Sequence, residues 1–222
     1  MPFPGNSRTS RIRQDPGRIL TILLSFAGIL IFAGFIHKTF PLILLAIGGL
    51  ALTAAIIGYS IRHLTLSEAF AVKGLNRKVL LYIIPAIALG LILGILTRKR
   101  FELTLIPAGF THIAFVAPLI GAMEELVFRG YFQGQLRPIG SGFSIITASA
   151  LHTSYKLLVI LSLAAPLQFD FFFLIFWTFV IGILIGIIRE LAGSTVPPVI
   201  AHAVFDIVLY GGLASAPIWV WS

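Results

Sequence analysis

Seven apolar runs follow one another through this chain with only short polar breaks between them, at residues 19–36, 40–61, 79–97, 105–135, 141–165, 171–188 and 196–220. A hydrocarbon core takes about 20 predominantly apolar residues in a helix, so each run is a membrane-span candidate. Composition agrees: 58% of residues are hydrophobic and 11% charged, with a mean hydropathy of +1.03, whereas soluble domains carry about a quarter charged residues. The expectation is an all-α, polytopic integral membrane bundle of about seven transmembrane helices around a polar cavity.

A chain of 222 residues is ordinarily one domain, and no linker divides this one. Residues 1–18, with Pro2, Pro4, Pro16 and four arginines, read as a disordered basic cytoplasmic tail. Residues 19–104 supply transmembrane helices without a motif, and 105–222 the motif-bearing helices of the same domain. The first run lacks a small-residue cleavage site and reads as a retained helix rather than a signal peptide. Zero cysteines exclude disulfides, thiolate metal sites and a cysteine nucleophile. The net charge of +8 lies in short basic blocks between apolar runs. That pattern signals topology and contact with anionic lipid, and no nucleic-acid motif competes with it.

Loop lysines and arginines set the orientation. With the N-terminus inside, the tail, the 62–78 loop, Arg137 and Arg189 place ten basic residues inside, against four outside at Lys38 and Arg98, Lys99 and Arg100. The N-terminus is therefore expected to be cytoplasmic, with the block at 98–100 running against the rule locally. Trp219 and Trp221 are expected as interfacial anchors.

Two of the eight acidic residues are adjacent, Glu124 and Glu125, inside the fourth run and followed by Arg129. An ionisable group inside a membrane is a functional-site hypothesis by default. Glu125 and Arg129 are four apart and share a helical face, the spacing of a structural ion pair. Glu124 points about a quarter turn away and has no such partner on its own helix, so one carboxylate is expected tied and the other free. At 1.5 Å per residue, Glu124 lies ~18 Å from the inner end of its helix, His152 ~16 Å into the fifth helix and His202 ~9 Å into the seventh. Three distant positions arriving in the same half of the bilayer imply a shared cavity. Lys156, on the face of His152, either snorkels outward or neutralises an acid. His37 and His63 lie at helix ends, and His112 lies three turns from Glu124; none of the three is assigned a role.

At these residues the chain resembles the CPBP intramembrane endopeptidases, a family that includes type II CAAX prenyl proteases and bacterial Abi proteins. Glu124-Glu125-xxx-Arg129, extended as EELVFRGYF, resembles the first motif closely; His152 resembles the histidine of an FxxxH motif, with Ala148 where the phenylalanine would stand; His202-xxx-Asp206 resembles the third. The resemblance covers roughly residues 110–215 and implies an endopeptidase acting on a membrane-anchored, hydrophobic or lipidated peptide. It implies that Glu124 and His152 activate a water, that His202 and Asp206 face the developing oxyanion or orient one another, and that Glu125, counted with these four among the catalytic candidates, also pairs with Arg129 to hold the motif helix in register. Glu124, His152 and His202 would also suffice as three ligands of a divalent metal such as zinc. Asp206 stands where Asn also occurs; an ionised aspartate cannot donate to an oxyanion, so it would be neutral or would fix the His202 tautomer. Two other readings stay open: a non-catalytic immunity or scaffold protein of the same family, and a small proton-coupled transporter.

Overall fold

The computed structural model describes residues 16–34, 43–162 and 170–214. Every element among these residues is helical. The first is α1 (Pro16–Ala33), which opens with a proline at its first position, where the missing N–H has no intrahelical partner to lose. It starts inside the stretch expected to be tail; residues 1–15 lie outside the described residues, as do Trp219 and Trp221. Next comes α2 (Ile43–Arg62), then a single turn, α3 (Leu66–Ala69), closed by a capping box between Thr65 and Glu68. The 62–78 connection is thus not a bare loop. It is also tied to the start of the last helix, because Thr195 Oγ1 donates to the Phe70 carbonyl at 2.8 Å.

The third run becomes α4 (Arg77–Arg100), two residues longer at its start than the apolar pattern and three at its end. Arg98, expected as a loop charge, is part of this helix and is buried. It donates to the Val208, Leu209 and Gly211 carbonyls at 3.0, 2.8 and 2.8 Å and to the Thr104 carbonyl. Carbonyls at a helix C-terminus lack intrahelical donors and attract a cation. That contact, rather than a loop position, accounts for one arginine of the block that ran against the orientation rule.

The fourth run is shorter than its hydropathy suggests. Residues 103–112, which include Pro107 and Gly109, are irregular, and helix begins only at α5 (Ile113–Glu125). A π-helical segment (Leu126–Phe132) follows, then α6 (Gln133–Leu136). Beyond Pro138 and Gly140 run α7 (Ser141–Leu161), α8 (Phe171–Ala192) and α9 (Val196–Tyr210). The polar patch from His152 to Lys156 leaves α7 unbroken. Among the described residues α1, α4, α7 and α8 are long and apolar enough to cross a membrane, while α9 is a shorter apolar helix.

The bundle is apolar outside, and inside it holds a set of charged groups beside an apolar core. Leu23, Ile31, Leu81, Ile84 and Phe172 face outward, whereas Glu124, Glu125, Arg129, His152, Lys156 and Asp206 are buried. Outward apolar faces with the charges kept inside suit a hydrocarbon solvent, which does not tolerate exposed charge. Close helix approach comes from the small residues that the apolar runs carry. A Cβ on Gly90 would meet the Ala201 carbonyl, and one on Gly94 would lie 2.8 Å from Val208 Cβ, so α4 packs directly on α9. Gly182 plays the same part between α8 and α7, where a Cβ would sit 3.1 Å from Ser149.

Candidate active site

The site is built on the C-terminal turn of α5 and the π-helical segment after it. Glu124 and Glu125 are both fully buried. Widening of the helix just past them, a distortion that often adjoins functional sites, carries Arg129 to where its guanidinium bridges two helices. Arg129 Nε lies 3.3 Å from Glu125 Oε2, the ion pair expected from the spacing, and Nη1 lies 2.7 Å from His152 Nδ1 on α7. Arginine has only donors, so His152 Nδ1 must present its lone pair. The ring proton is then on Nε2, which faces Glu124 Oε2 at 3.4 Å.

Glu124 is not free. Lys156, one turn beyond His152 on α7, places Nζ 2.8 Å from Glu124 Oε1. The expectation of an unpartnered carboxylate held only for its own helix; the partner arrives from another. The same contact gives Lys156 its place, pointing inward as a counter-charge rather than snorkelling outward. A buried carboxylate without such compensation would be strongly destabilising.

From the other side α9 brings His202 and Asp206. His202 Nδ1 lies 2.9 Å from Glu125 Oε1, and its Nε2 lies 3.9 Å from Asp206 Oδ2. The second distance is too long for a hydrogen bond. Glu125, not Asp206, therefore fixes the orientation of the His202 ring. Gly121 makes this approach possible: a Cβ there would lie 2.6 Å from His202 Cδ2 and 2.7 Å from Asp206 Oδ2. Glu124, Glu125, Arg129, His152, Lys156 and His202 thus form one connected buried network, with Asp206 beside it.

The network forms the floor of a cavity of about 500 Å³ between α4, α7, α8 and α9. Glu125, Arg129, His152, Lys156 and His202 line it, under apolar walls that include Leu93 and Leu96 of α4, Trp177 and Ile181 of α8, and Phe205 of α9. Glu124 lies behind His152 and Lys156, so the carboxylate that faces the cavity is Glu125, expected both as the partner of Arg129 and among the catalytic residues. Two carboxylate oxygens, Glu124 Oε1 and Glu125 Oε2, make ionic contacts without hydrogen-bond geometry and keep an unused lone pair. At the far end, Arg100 and Asp170 pair at 3.3 Å and Phe101 meets Phe173 edge-on, joining α4 to α8.

Two residues that sequence reasoning passed over shape the floor. Phe128 stacks on His152 with ring centroids 4.5 Å apart, and Tyr155 packs against both rings, 5.5 Å from Phe128 and 6.4 Å from His152. The aromatic partner of His152 therefore comes from the EELVF segment, while position 148 holds a fully buried alanine. An aromatic in the charged motif was the available signal. A metal held by Glu124, His152 and His202 does not fit this arrangement. His152 turns a protonated Nε2 inward, Lys156 sits against Glu124, and no group of three His, Asp or Glu among the described residues is placed to hold an ion.

Residues 106–208 match the sequence model of the type II CAAX prenyl endopeptidases of the Rce1-like family. The chain carries a domain of that family. It spans every element that contributes to the floor, from α5 to α9, and stops two residues before the end of α9. No curated protein and no solved structure matches the chain. With the apolar helices above, the CAAX-protease domain makes this an integral membrane protein whose family acts on peptides in a membrane setting.

Proposed function

We propose that the protein is an intramembrane endopeptidase that hydrolyses a peptide bond of a membrane-anchored or lipidated peptide, using a water activated by Glu124 and His152. The observation that carries the reading is that the charged residues of three separate helices meet at the floor of one apolar-walled cavity within a CAAX-protease domain. Apolar walls suit a lipid chain or a hydrophobic peptide, and prenylated CAAX peptides are the substrate class that the family's name suggests.

Glu124 is the base in this reading. Its Oε1 lone pair is unused, and the His152 Nε2–H and the Lys156 ammonium hold the carboxylate in place. A water that enters from the cavity between His152 and Lys156, behind which Glu124 lies, gives up a proton to that carboxylate while its oxygen attacks the carbonyl carbon, the ordinary work of a positioned general base. Glu125 holds His202 and Arg129 at the opposite edge of the floor, so it contributes to the shape of the site as well as to its charge balance. With Arg98 removed from the loop count, the basic-residue rule keeps its preference for a cytoplasmic N-terminus.

The test is cleavage by the purified protein in lipid nanodiscs, offered CAAX-type peptides with and without a prenyl group, before and after incubation with a chelator. Cleavage of a lipidated peptide that survives chelation supports the glutamate-based reading. Cleavage abolished by chelation and restored by zinc would replace it with a metal mechanism. No cleavage of any such peptide would favour a non-catalytic member of the family.

A further inference from the structure

Lys156 is not accounted for by charge balance alone. It is buried, it lines the cavity, and it sits 2.8 Å from the carboxylate assigned as base. An ammonium has three donors, and the contact with Glu124 occupies one direction only. Other polar groups of the floor turn part of their donors to one another, while Lys156 stands directly beside the base. Arg129 meets Glu125 through Nε in an ionic contact and gives Nη1 to His152, with Nη2 lying beside Gly182. His152 turns its Nε2–H to Glu124, and His202 turns Nδ1 to Glu125 while its Nε2 lies 3.9 Å from Asp206 Oδ2. Asp206, as a carboxylate, accepts and does not donate.

Peptide hydrolysis nevertheless needs a donor where negative charge develops on the carbonyl oxygen, and that group is usually among the largest contributors to rate. We propose that Lys156 is a catalytic residue, donating from Nζ to the carbonyl oxygen of the scissile peptide as the water held by Glu124 attacks. This rests on the proteolytic reading above. The water proton passes to a Glu124 oxygen, the water oxygen bonds to the carbonyl carbon, and the C=O π pair moves onto oxygen, where the Lys156 N–H meets it. Collapse re-forms the carbonyl and breaks the C–N bond, and the proton held by Glu124 goes to the leaving nitrogen. One turn of α7 thus carries both the imidazole that orients the base and the ammonium that receives the charge.

The experiment compares Lys156→Met in two backgrounds, the native one and Asp206→Asn, whose amide N–H₂ supplies a donor at the edge of the same floor. In the native background kcat should fall by about 10²–10³-fold with little change in KM, as for loss of one oxyanion donor. In the Asp206→Asn background the same substitution should cost about tenfold less, since the two donors would then be coupled. A purely structural Lys156 predicts the same loss in both backgrounds, and that result would overturn the proposal. So would a Lys156→Met protein that cleaves normally while the wild type is active; a wild type that cleaves nothing overturns the proteolytic reading itself, and this proposal with it. If Lys156→Met does not fold, the comparison moves to Glu124→Gln against Glu124→Gln/Lys156→Met, the second leaving neither charge alone. The readout is then binding of a phosphinic peptide, which mimics the anionic tetrahedral intermediate, relative to the substrate peptide. Loss of at least tenfold in phosphinic binding alone supports Lys156, and equal loss of both or of neither rejects it.

Discussion

Glu124→Gln tests whether the proposed base is also a structural residue. Considered on its own helix, Glu124 has no partner, and an amide there would remove the base while leaving the fold alone. The structure reverses the second half of that expectation. Lys156 pairs with Glu124 at 2.8 Å, and the two side chains are 4% and 1% exposed. The amide would leave an ammonium buried without its counter-charge, and removing one partner of a buried pair costs ~3–5 kcal/mol. For a domain of about this size that corresponds to a loss on the order of 10 °C in Tm. Cleavage should fall by about 10²–10⁴-fold, as for loss of a general base. Adding Lys156→Met removes the stranded charge, so Glu124→Gln/Lys156→Met should recover most of the lost Tm and none of the activity. The measurements are thermal unfolding in detergent and single-turnover cleavage on the same preparations. A Glu124→Gln protein that melts like the wild type, or a double variant no more stable than the single, would refute the role of the ion pair. Normal cleavage by a folded Glu124→Gln would refute the role of the carboxylate as base.

Glu125→Gln leaves Arg129 uncompensated and weakens the hold on His202, so Tm and kcat should fall together, with a stability loss of ~3–5 kcal/mol read from the same melting curves; unchanged stability would reject the Glu125–Arg129 pair as a structural element. Gly121→Ala puts a methyl group where His202 and Asp206 approach within 2.8 Å; it should push α9 from α5 and abolish cleavage while insertion into the membrane persists, and wild-type activity would show that the approach is looser than described. The chain has no native cysteine, so single cysteines at Ser7 and Ser67 can be labelled cleanly; both should resist an impermeant thiol reagent added outside intact cells, and labelling of both would invert the orientation.

The charged residues were legible in the sequence because a membrane leaves so few places for them. Glu124, Glu125, His152 and His202 stood out inside apolar runs, and their depths predicted that they would meet. What they meet with was not legible. Spacing along one helix gives partners at i+4, so Glu125–Arg129 could be read, but the contacts of Glu124 with Lys156 and of Arg129 with His152 cross from α5 and the π segment to α7. Those depend on how two helices are rotated about their axes, and an apolar run says little about rotation. The π-helical segment left no mark in the hydropathy of EELVFRGYF, because widening a helix changes its hydrogen bonds and not its composition. The start of α5 was misplaced for a different reason: Pro107 and Gly109 signalled a break inside the run, and the continuous hydropathy outweighed them. Glycine spacing at Gly90/Gly94 and Gly182 was readable as packing, though not as the packing that brings α9 and α8 against the site.

The network also explains why the charges sit as they do. A carboxylate buried without compensation in an apolar bundle would be neutralised or expelled, yet a base must stay ionised and keep a lone pair for water. Those demands conflict if the counter-charge takes every acceptor. Here they are divided among different atoms. Glu124 Oε2 faces the neutral His152, and Oε1 meets Lys156 in an ionic contact that makes no formal hydrogen bond; Glu125 repeats the arrangement with His202 and Arg129. In each glutamate an imidazole orients one oxygen while a cation balances the charge beside the other. The contacts that make burial tolerable are therefore the same ones that leave an oxygen ready to take a proton, so replacing a site residue on either carboxylate should change stability and chemistry together.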